Sequence, residues 1–289
     1  MPSNRSIVVT GGDSRYFPLM REAILSVRSK PQGQSVDLGV LDCGLSPDEA
    51  AWCKGQGACL VEPGWDVAFG AGLTVHPSFR AMTARPHLRR YFPGYDIYVW
   101  LDADVWLQEW AALALFMEAA GLGDIAIVPE MHRSYRNFRD GRDDFEGANG
   151  AAYAAAYGAD AAHSLIRRPL NNAGVFAMTA DSPAWETWAA ALADGAQRSA
   201  NMIDQIALNA AIHDGRIRDV RLPPTCNWIA HLATPAWHAE SGAFVEPDPP
   251  YEPIGILHLT LDTKWASAVD VCTVSGGMSP RSLRYPGER

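Results

Sequence analysis

The 289-residue sequence is short of the features that mark secreted, membrane-spanning or nucleic-acid-binding chains. Its five cysteines (Cys43, Cys53, Cys59, Cys226, Cys272) are odd in number and contain no C-x-x-C pair. That argues against a disulfide framework or a thiolate zinc site and for free, mostly buried thiols. No apolar run approaches the ~18 residues of a membrane span, and Met1–Thr10 carries no secretory pattern. A cytoplasmic protein is therefore expected, and a peripheral place at an inner membrane is compatible with it. Positive charge is in deficit: 24 Lys and Arg against 33 Asp and Glu leave a net charge of −9. This argues against nucleic acid as the main partner and gives no help to a purely electrostatic membrane anchor. Internal repeats, low-complexity linkers and a G-x-G-x-x-G fingerprint are also missing.

What is present is ordinary globular material. Hydrophobic residues make up 48% and charged residues 20%, enough at this length to bury a large core. Ile7–Thr10 reads as a first strand, ended by Gly11-Gly12-Asp13, and Tyr16–Val27 as an amphipathic helix. Val36–Leu41 is a second strand. Ser46-Pro47-Asp48-Glu49 opens a helix with an N-cap, proline at N1 and acids in the first turn. Ala58–Val61 is a third strand, 62–77 a loop, and Ser78–Phe92 a helix that Pro86 must kink or break. Strands alternating with helices predict a parallel, doubly wound sheet.

Tyr95–Trp106 is the centre of this arrangement. Ile97-Tyr98-Val99-Trp100-Leu101 is apolar, β-branched and aromatic, the pattern of a strand buried on both faces. Asp102-Ala103-Asp104 follows at its carboxyl end, where open α/β sheets bind ligands. Two carboxylates there need compensation, and a divalent cation carrying a phosphorylated ligand supplies it. The plainer alternative is that Asp102 caps a helix and Asp104 is a solvated loop residue.

Downstream, Glu109–Ala120 reads as a helix and Asp124–Val128 as a strand. Residues 131–150 read as a polar, basic loop or mobile lid. Ala151–Arg168 is alanine-rich and helical. Asn171–Met178 turns from polar to strand-like, and Ser182-Pro183 opens a further helix. Asn201–His213 is a helix with Asp204-Gln205 near its start, and Gly255–Leu259 is a last strand containing His258. The fold class expected is α/β: one domain with a mostly parallel central sheet flanked by helices and an irregular C-terminal portion.

With these residues in view, the chain resembles the retaining GT-A glycosyltransferases of family 8. Thr83-Ala84-Arg85, 17 residues before Asp102, is similar to the family's Tyr-Ala-Arg segment. Tyr98–Asp104 is similar to its Tyr-Leu-Asp-x-Asp, Asn172-Ala173-Gly174 to its Asn-x-Gly, and Asp204-Gln205 to its Asp-Gln. His258 and Lys264 keep the His-x5-Lys spacing of its C-terminal motif. The chain departs from that motif at Leu261, where the family has glycine, and in lacking proline between Lys264 and Trp265. Leucine disfavours backbone conformations that glycine tolerates, which argues against a backbone phosphate contact at 261.

The resemblance implies a single GT-A domain over 1–289, with 1–130 as the nucleotide-binding half and 131–289 as the sugar and acceptor half. It implies a metal site of Asp102, Asp104 and His258 holding Mn²⁺ or Mg²⁺. The donor would be a nucleotide sugar, UDP-hexose first, and the acceptor a glycan, lipid-linked or small molecule. Lys264 would meet the phosphates and Arg85 the donor sugar or the acid pair. Asn172 and Asp204 would hold sugar hydroxyls. Thr10, Asp13, Tyr16 and Ala103 would line the nucleotide. Gln205 would lie nearest the anomeric carbon, and Glu130 toward the acceptor. A neutral amide is a poor nucleophile, so the implied route is front-face substitution with the leaving phosphate as base. The acceptor pocket would come from loops 131–150 and 229–252, whose Trp228, Trp237, Phe244 and Tyr251 either stack on sugar or pack. Two alternatives stay open. One is a haloacid-dehalogenase-like phosphatase using Asp102 and Asp104, with Asp143-Asp144 as its second acidic motif. The other is a catalytically silent sugar-nucleotide binder.

Overall fold

Hydrophobic strands alternate with amphipathic helices from the start of the chain, and a computed structural model describes their arrangement for residues 5–139 and 143–287. In chain order β1 is Ser6–Gly12, α1 Phe17–Arg28, β2 Asp37–Asp42, α2 Pro47–Gly55, β3 Ala58–Val61, α3 Phe79–Ala84 and α4 Leu88–Tyr91. β4 is Ile97–Leu101, β5 Val105–Leu107, α5 Trp110–Ala119, β6 Ile125–Pro129, α6 Arg136–Arg139, α7 Asp143–Tyr157 and α8 Ala159–Leu165. β7 is Asn171–Thr179, α9 Ala184–Ala196, α10 Ile203–His213 and β8 Asp219–Arg221. The remaining strands are short: β9 Trp228–Ile229, β10 Ala236–His238, β11 Ala243–Val245, β12 Ile256–His258, β13 Val269–Cys272 and β14 Met278–Arg281.

The central sheet runs β3-β2-β1-β4-β7-β6-β8. β3, β2, β1 and β4 are parallel, as expected. β7 is reversed against both β4 and β6. The two faces of β4 explain its unbroken apolar run. Tyr98 and Trp100 enter one core with Phe176, Trp185 and Trp188, while Ile97, Val99 and Leu101 enter another with Ile24, Leu113 and Phe116. A buried indole removes ~150–250 Å² from water, about 4–6 kcal/mol at ~25 cal/mol per Å².

Local chemistry sets several element ends. Ser46 and Glu49 form a reciprocal capping box at the start of α2. A 3₁₀ turn at Arg85–His87 separates α3 from α4, the break that Pro86 requires.

The expectation of a loop or mobile lid over 131–150 is corrected. Residues 143–150 open α7, which packs on α10 through Ala152, Tyr153 and Ala156 despite Gly147 and Gly150. Tertiary burial outweighs the helix penalty of two glycines. Residues 131–136 are tied down: His132 lies 2.9 Å from Glu246, the Arg136 amide donates to Leu232, and the Tyr135 hydroxyl accepts from the Ile229 amide. Residues 140–142 lie outside the described residues. Gly158, at φ +91°, divides the alanine-rich stretch into α7 and α8. The thiols are free, with Cys43, Cys53 and Cys226 buried. Among the described residues no helix is long and apolar enough to cross a membrane.

Candidate active site

The site begins where β4 stops. The Asp102 amide donates to the Gly174 carbonyl at 2.8 Å, closing the last rung against β7, and the chain turns at once through Ala103 and Asp104. β5 then leaves the main sheet and pairs antiparallel with β12, with Val105 opposite His258. The Leu259 amide donates to the Asp104 carbonyl at 2.8 Å. These rungs carry His258, 154 residues after Asp104 in sequence, to the acid pair. Asp102, Asp104 and His258 each offer one ligand atom, all within 4.8 Å of one another. His258 Nε2 is 3.3 Å from Asp104 Oδ1 and 3.9 Å from Asp102 Oδ2.

Gly174 makes the convergence possible. A Cβ there would lie 2.3 Å from His258 Cε1, 2.8 Å from Asn172 Oδ1 and 2.9 Å from Asp102 Oδ2. Two carboxylates and an imidazole around a cradle that a methyl would fill suit a hard or borderline divalent ion sharing its shell with phosphate.

Two cations hold the acids. The buried Arg85 guanidinium bridges Asp102 and Asp204, at 2.5 Å from Asp204 Oδ2, and lies over the Trp100 ring. Lys264 Nζ is 2.7 Å from Asp104 Oδ2 and sits over the Tyr16 ring. Burial pushes the Asp104 carboxyl up, but His258 and Lys264 more than offset it and bring it to about 2. Burial pulls the Lys264 ammonium down, and Asp104 reverses that, so it stays raised. Burial raises the Asp204 carboxyl, the nearby Asp102 charge adds to that, and Arg85 pulls against both. Trp100 Nε1 donates to Asp102 Oδ1 at 2.7 Å, a second use of the central strand that its sequence pattern did not signal.

Behind His258 lies a buried amide chain. Its Nδ1 is 3.0 Å from Asn227 Oδ1, and Asn227 Nδ2 donates to Asn172 Oδ1 at 3.0 Å. Asn172 Oδ1 also accepts from the Gly174 amide at 2.9 Å, while its Nδ2 donates to Glu130 Oε1 at 2.7 Å. Asn172 is therefore largely occupied with the frame. Glu130 is buried, and burial lifts its carboxyl to about 7 against the opposing pull of Asn172 and His258. Gln205 Oε1 accepts from the Ala173 amide at 2.9 Å, which keeps one carbonyl lone pair free.

The other expected residues fall in varied places. Tyr16 stands beside Lys264, with Trp265 edge-on to it. Thr10 is buried near the end of β1, and its hydroxyl has no partner among the described residues. Asp13 accepts from the Arg15 and Tyr16 amides at the entry to α1, a turn-forming use. Ala103 is buried in the core, close to Gly12. Trp228, Trp237 and Phe244 pack in a third core cluster, which resolves stacking or packing in favour of packing for these three. Asp143 and Asp144 open α7, and their side chains lie outside the described residues. Leu261 is 62% exposed and adopts φ +50°, a left-handed conformation that favours glycine. The leucine thus accepts a backbone conformation that glycine tolerates more readily, with its side chain in solvent.

No protein-family model matches the chain, and no curated protein matches it. Solved structures do. A galactosyltransferase, LgtC, crystallised with donor and acceptor sugar analogs, aligns over 90% of this chain and 92% of its own at TM-score 0.55 and 16% identity. Mouse xyloside xylosyltransferase 1 aligns over 88% and 97% at 0.52 and 14%. The glycosyltransferase GlyE of Streptococcus pneumoniae TIGR4 aligns over 91% and 56% at 0.53 and 17%. The chain has the GT-A fold that these glycosyltransferases share, an α/β architecture with its acid pair at the end of a central strand.

Proposed function

We propose that this protein is a metal-dependent, retaining glycosyltransferase that moves a hexose from a nucleotide diphosphate, UDP-hexose first, to a glycan, lipid-linked or small-molecule acceptor. The observation that carries the reading is the meeting of Asp102, Asp104, His258 and Lys264 at the end of β4 in a GT-A fold. A divalent ion, Mn²⁺ or Mg²⁺, held there would supply positive charge to the departing diphosphate. Lys264 adds a point charge from the chain itself. Residues 1–130 serve the nucleotide, with the unpartnered Thr10 hydroxyl and Tyr16 on its path, and 131–289 serve sugar and acceptor.

Gln205 faces the sugar's reacting carbon. Its fixed amide steadies an oxocarbenium-like centre and is too weak a nucleophile for a covalent intermediate. The acceptor oxygen then bonds the anomeric carbon on the face from which the phosphate oxygen leaves, and that oxygen takes the acceptor's proton. Arg85 orients Asp102 and Asp204 together, so Asp204 can meet sugar hydroxyls without an unpaired buried charge.

Release of sugar from UDP-hexoses with Mn²⁺, compared between wild type, Asp102→Ala and Gln205→Ala, tests the proposal. Full activity in Asp102→Ala would remove the metal role. Phosphate release from a simple phosphomonoester would favour the phosphatase. Tight UDP binding without turnover would mark a silent binder.

A further inference from the structure

The amide chain behind His258 runs in one direction, set by the main chain at Gly174. A backbone N–H only donates. The Gly174 amide donates to Asn172 at 2.9 Å, so the Asn172 atom facing it is the oxygen. Asn227 also meets that oxygen, at 3.0 Å, so it must present its NH₂ group. The other end of Asn227, 3.0 Å from His258 Nδ1, is then its carbonyl oxygen. An amide oxygen only accepts, so Nδ1 carries a proton. A histidine that ligates a metal is neutral and holds one N–H, so with Nδ1 protonated the ligating lone pair is on Nε2. That lone pair points at Asp104 and Asp102, at 3.3 and 3.9 Å.

Every member is buried. Asn227 is fully buried, and His258 and Asn172 are nearly so. Water therefore offers little rescue for a reversed amide. Turning Asn227 over would set its NH₂ against the His258 N–H and its oxygen against the Asn172 oxygen. A buried polar group left unsatisfied costs ~1–3 kcal/mol, so the order is self-enforcing. Asn172 sits in the main sheet and Asn227 just before β9, so the chain also ties the β5-β12-β9 sheet to β7. Glu130 closes the far end by accepting from Asn172 Nδ2 at 2.7 Å.

We propose that Asn227 is a positioning residue that holds His258 in its Nδ1–H tautomer, Nε2 lone pair toward the acid pair, so that the imidazole is set as a ligand before any ion arrives. The inference rests on the metal-site reading above for its purpose, but its geometry does not require an ion. The reference point is the main chain at Gly174. The same short Asn-Ala-Gly segment thus clears space for the imidazole and dictates, through two side-chain amides, which of its nitrogens is bare.

The test uses the full-length chain with ¹⁵N-labelled histidine. Long-range ¹H–¹⁵N correlation spectra of the metal-free protein are recorded over a pH series into the alkaline range. The His258 signals are assigned by their loss in His258→Gln. Wild type is expected to show a protonated Nδ1 and a bare Nε2. Asn227→Asp keeps an acceptor oxygen at Nδ1 and should keep the tautomer, with lower stability because its second oxygen faces the Asn172 oxygen. Asn227→Leu removes it and should lose the preference. Calorimetric Mn²⁺ titrations should then show roughly 10- to 100-fold weaker binding for Asn227→Leu and near-wild-type binding for Asn227→Asp. Urea midpoints separate this from general destabilisation, and the wild-type spectrum decides the point even if Asn227→Leu does not fold. An Nε2–H tautomer in wild type overturns the proposal, as does Asn227→Leu with unchanged tautomer and affinity. A wild type that has the Nδ1–H tautomer but takes up no Mn²⁺ would overturn the proposed function and leave the role of Asn227 standing.

Discussion

Replacing Gly174 with alanine is the sharpest small change available. Glycine in the middle of a strand normally weakens it, so alanine there should stabilise by roughly 0.5–1 kcal/mol. Position 174 should do the opposite. The new Cβ would lie 2.3 Å from His258 Cε1, about 1 Å inside ordinary carbon contact, and under 3 Å from oxygens of Asn172 and Asp102. None of these can give freely. His258 is held by Asn227, Asn172 is bonded on both sides, and Asp102 is held by Arg85 and Trp100. Overpacking of this kind costs about 1–3 kcal/mol. The imidazole must also shift by about 1 Å, and a misplacement of that size at a reacting centre costs roughly 100-fold in rate. Urea unfolding of Gly174→Ala should show lower stability than wild type, and calorimetry weaker Mn²⁺ binding. A variant more stable than wild type with unchanged Mn²⁺ affinity would refute the claim that this cradle holds the three ligands together.

Other perturbations read separate parts of the molecule. Folding lifts the Glu130 carboxyl from 4.5 to about 7, so the folded chain holds that proton more tightly. Its stabilising effect is complete below pH 4.5 and fades as pH rises through 7. Wild type should lose up to about 3 kcal/mol relative to Glu130→Gln across that window in urea titrations. Leu261→Gly removes the strain of a leucine in the left-handed region, ~1–2 kcal/mol, against glycine's added chain entropy. A net gain of up to about 1 kcal/mol in thermal unfolding is expected. Arg85→Met leaves the buried Asp204 and the half-buried Asp102 without their shared cation, and should cost about 3–5 kcal/mol by denaturant unfolding, mostly through Asp204.

Much of this architecture is written locally. The apolar run Ile97–Leu101 marks the central strand because both of its faces are buried, and the capping box at Ser46 and the break at Pro86 follow from side-chain chemistry within a few residues. The acid pair and His258 were legible as a motif set, but their meeting depends on β5, β12 and β9, strands of two or three residues. Segments so short have no periodicity to read. Asn227 carried no signal for the same reason: a single asparagine becomes informative only when its partners are known. The reversal of β7 was hidden because a buried strand has the same pattern in either direction. The helix over 143–150 was hidden because its glycines and charges imitate a loop, and the packing that overrides them is distant in sequence.

The central claim is that the acid pair and His258 bind a divalent ion together with a nucleotide diphosphate. The most direct measurement is the thermal unfolding midpoint of wild type and Asp104→Ala with UDP, in Mn²⁺ and in EDTA, since a ligand of the folded state raises stability by mass action. UDP should raise the midpoint of wild type with Mn²⁺ present, and have little effect in EDTA or on Asp104→Ala. Equal stabilisation by UDP in EDTA, or no stabilisation of wild type by UDP and Mn²⁺ together, would contradict the account.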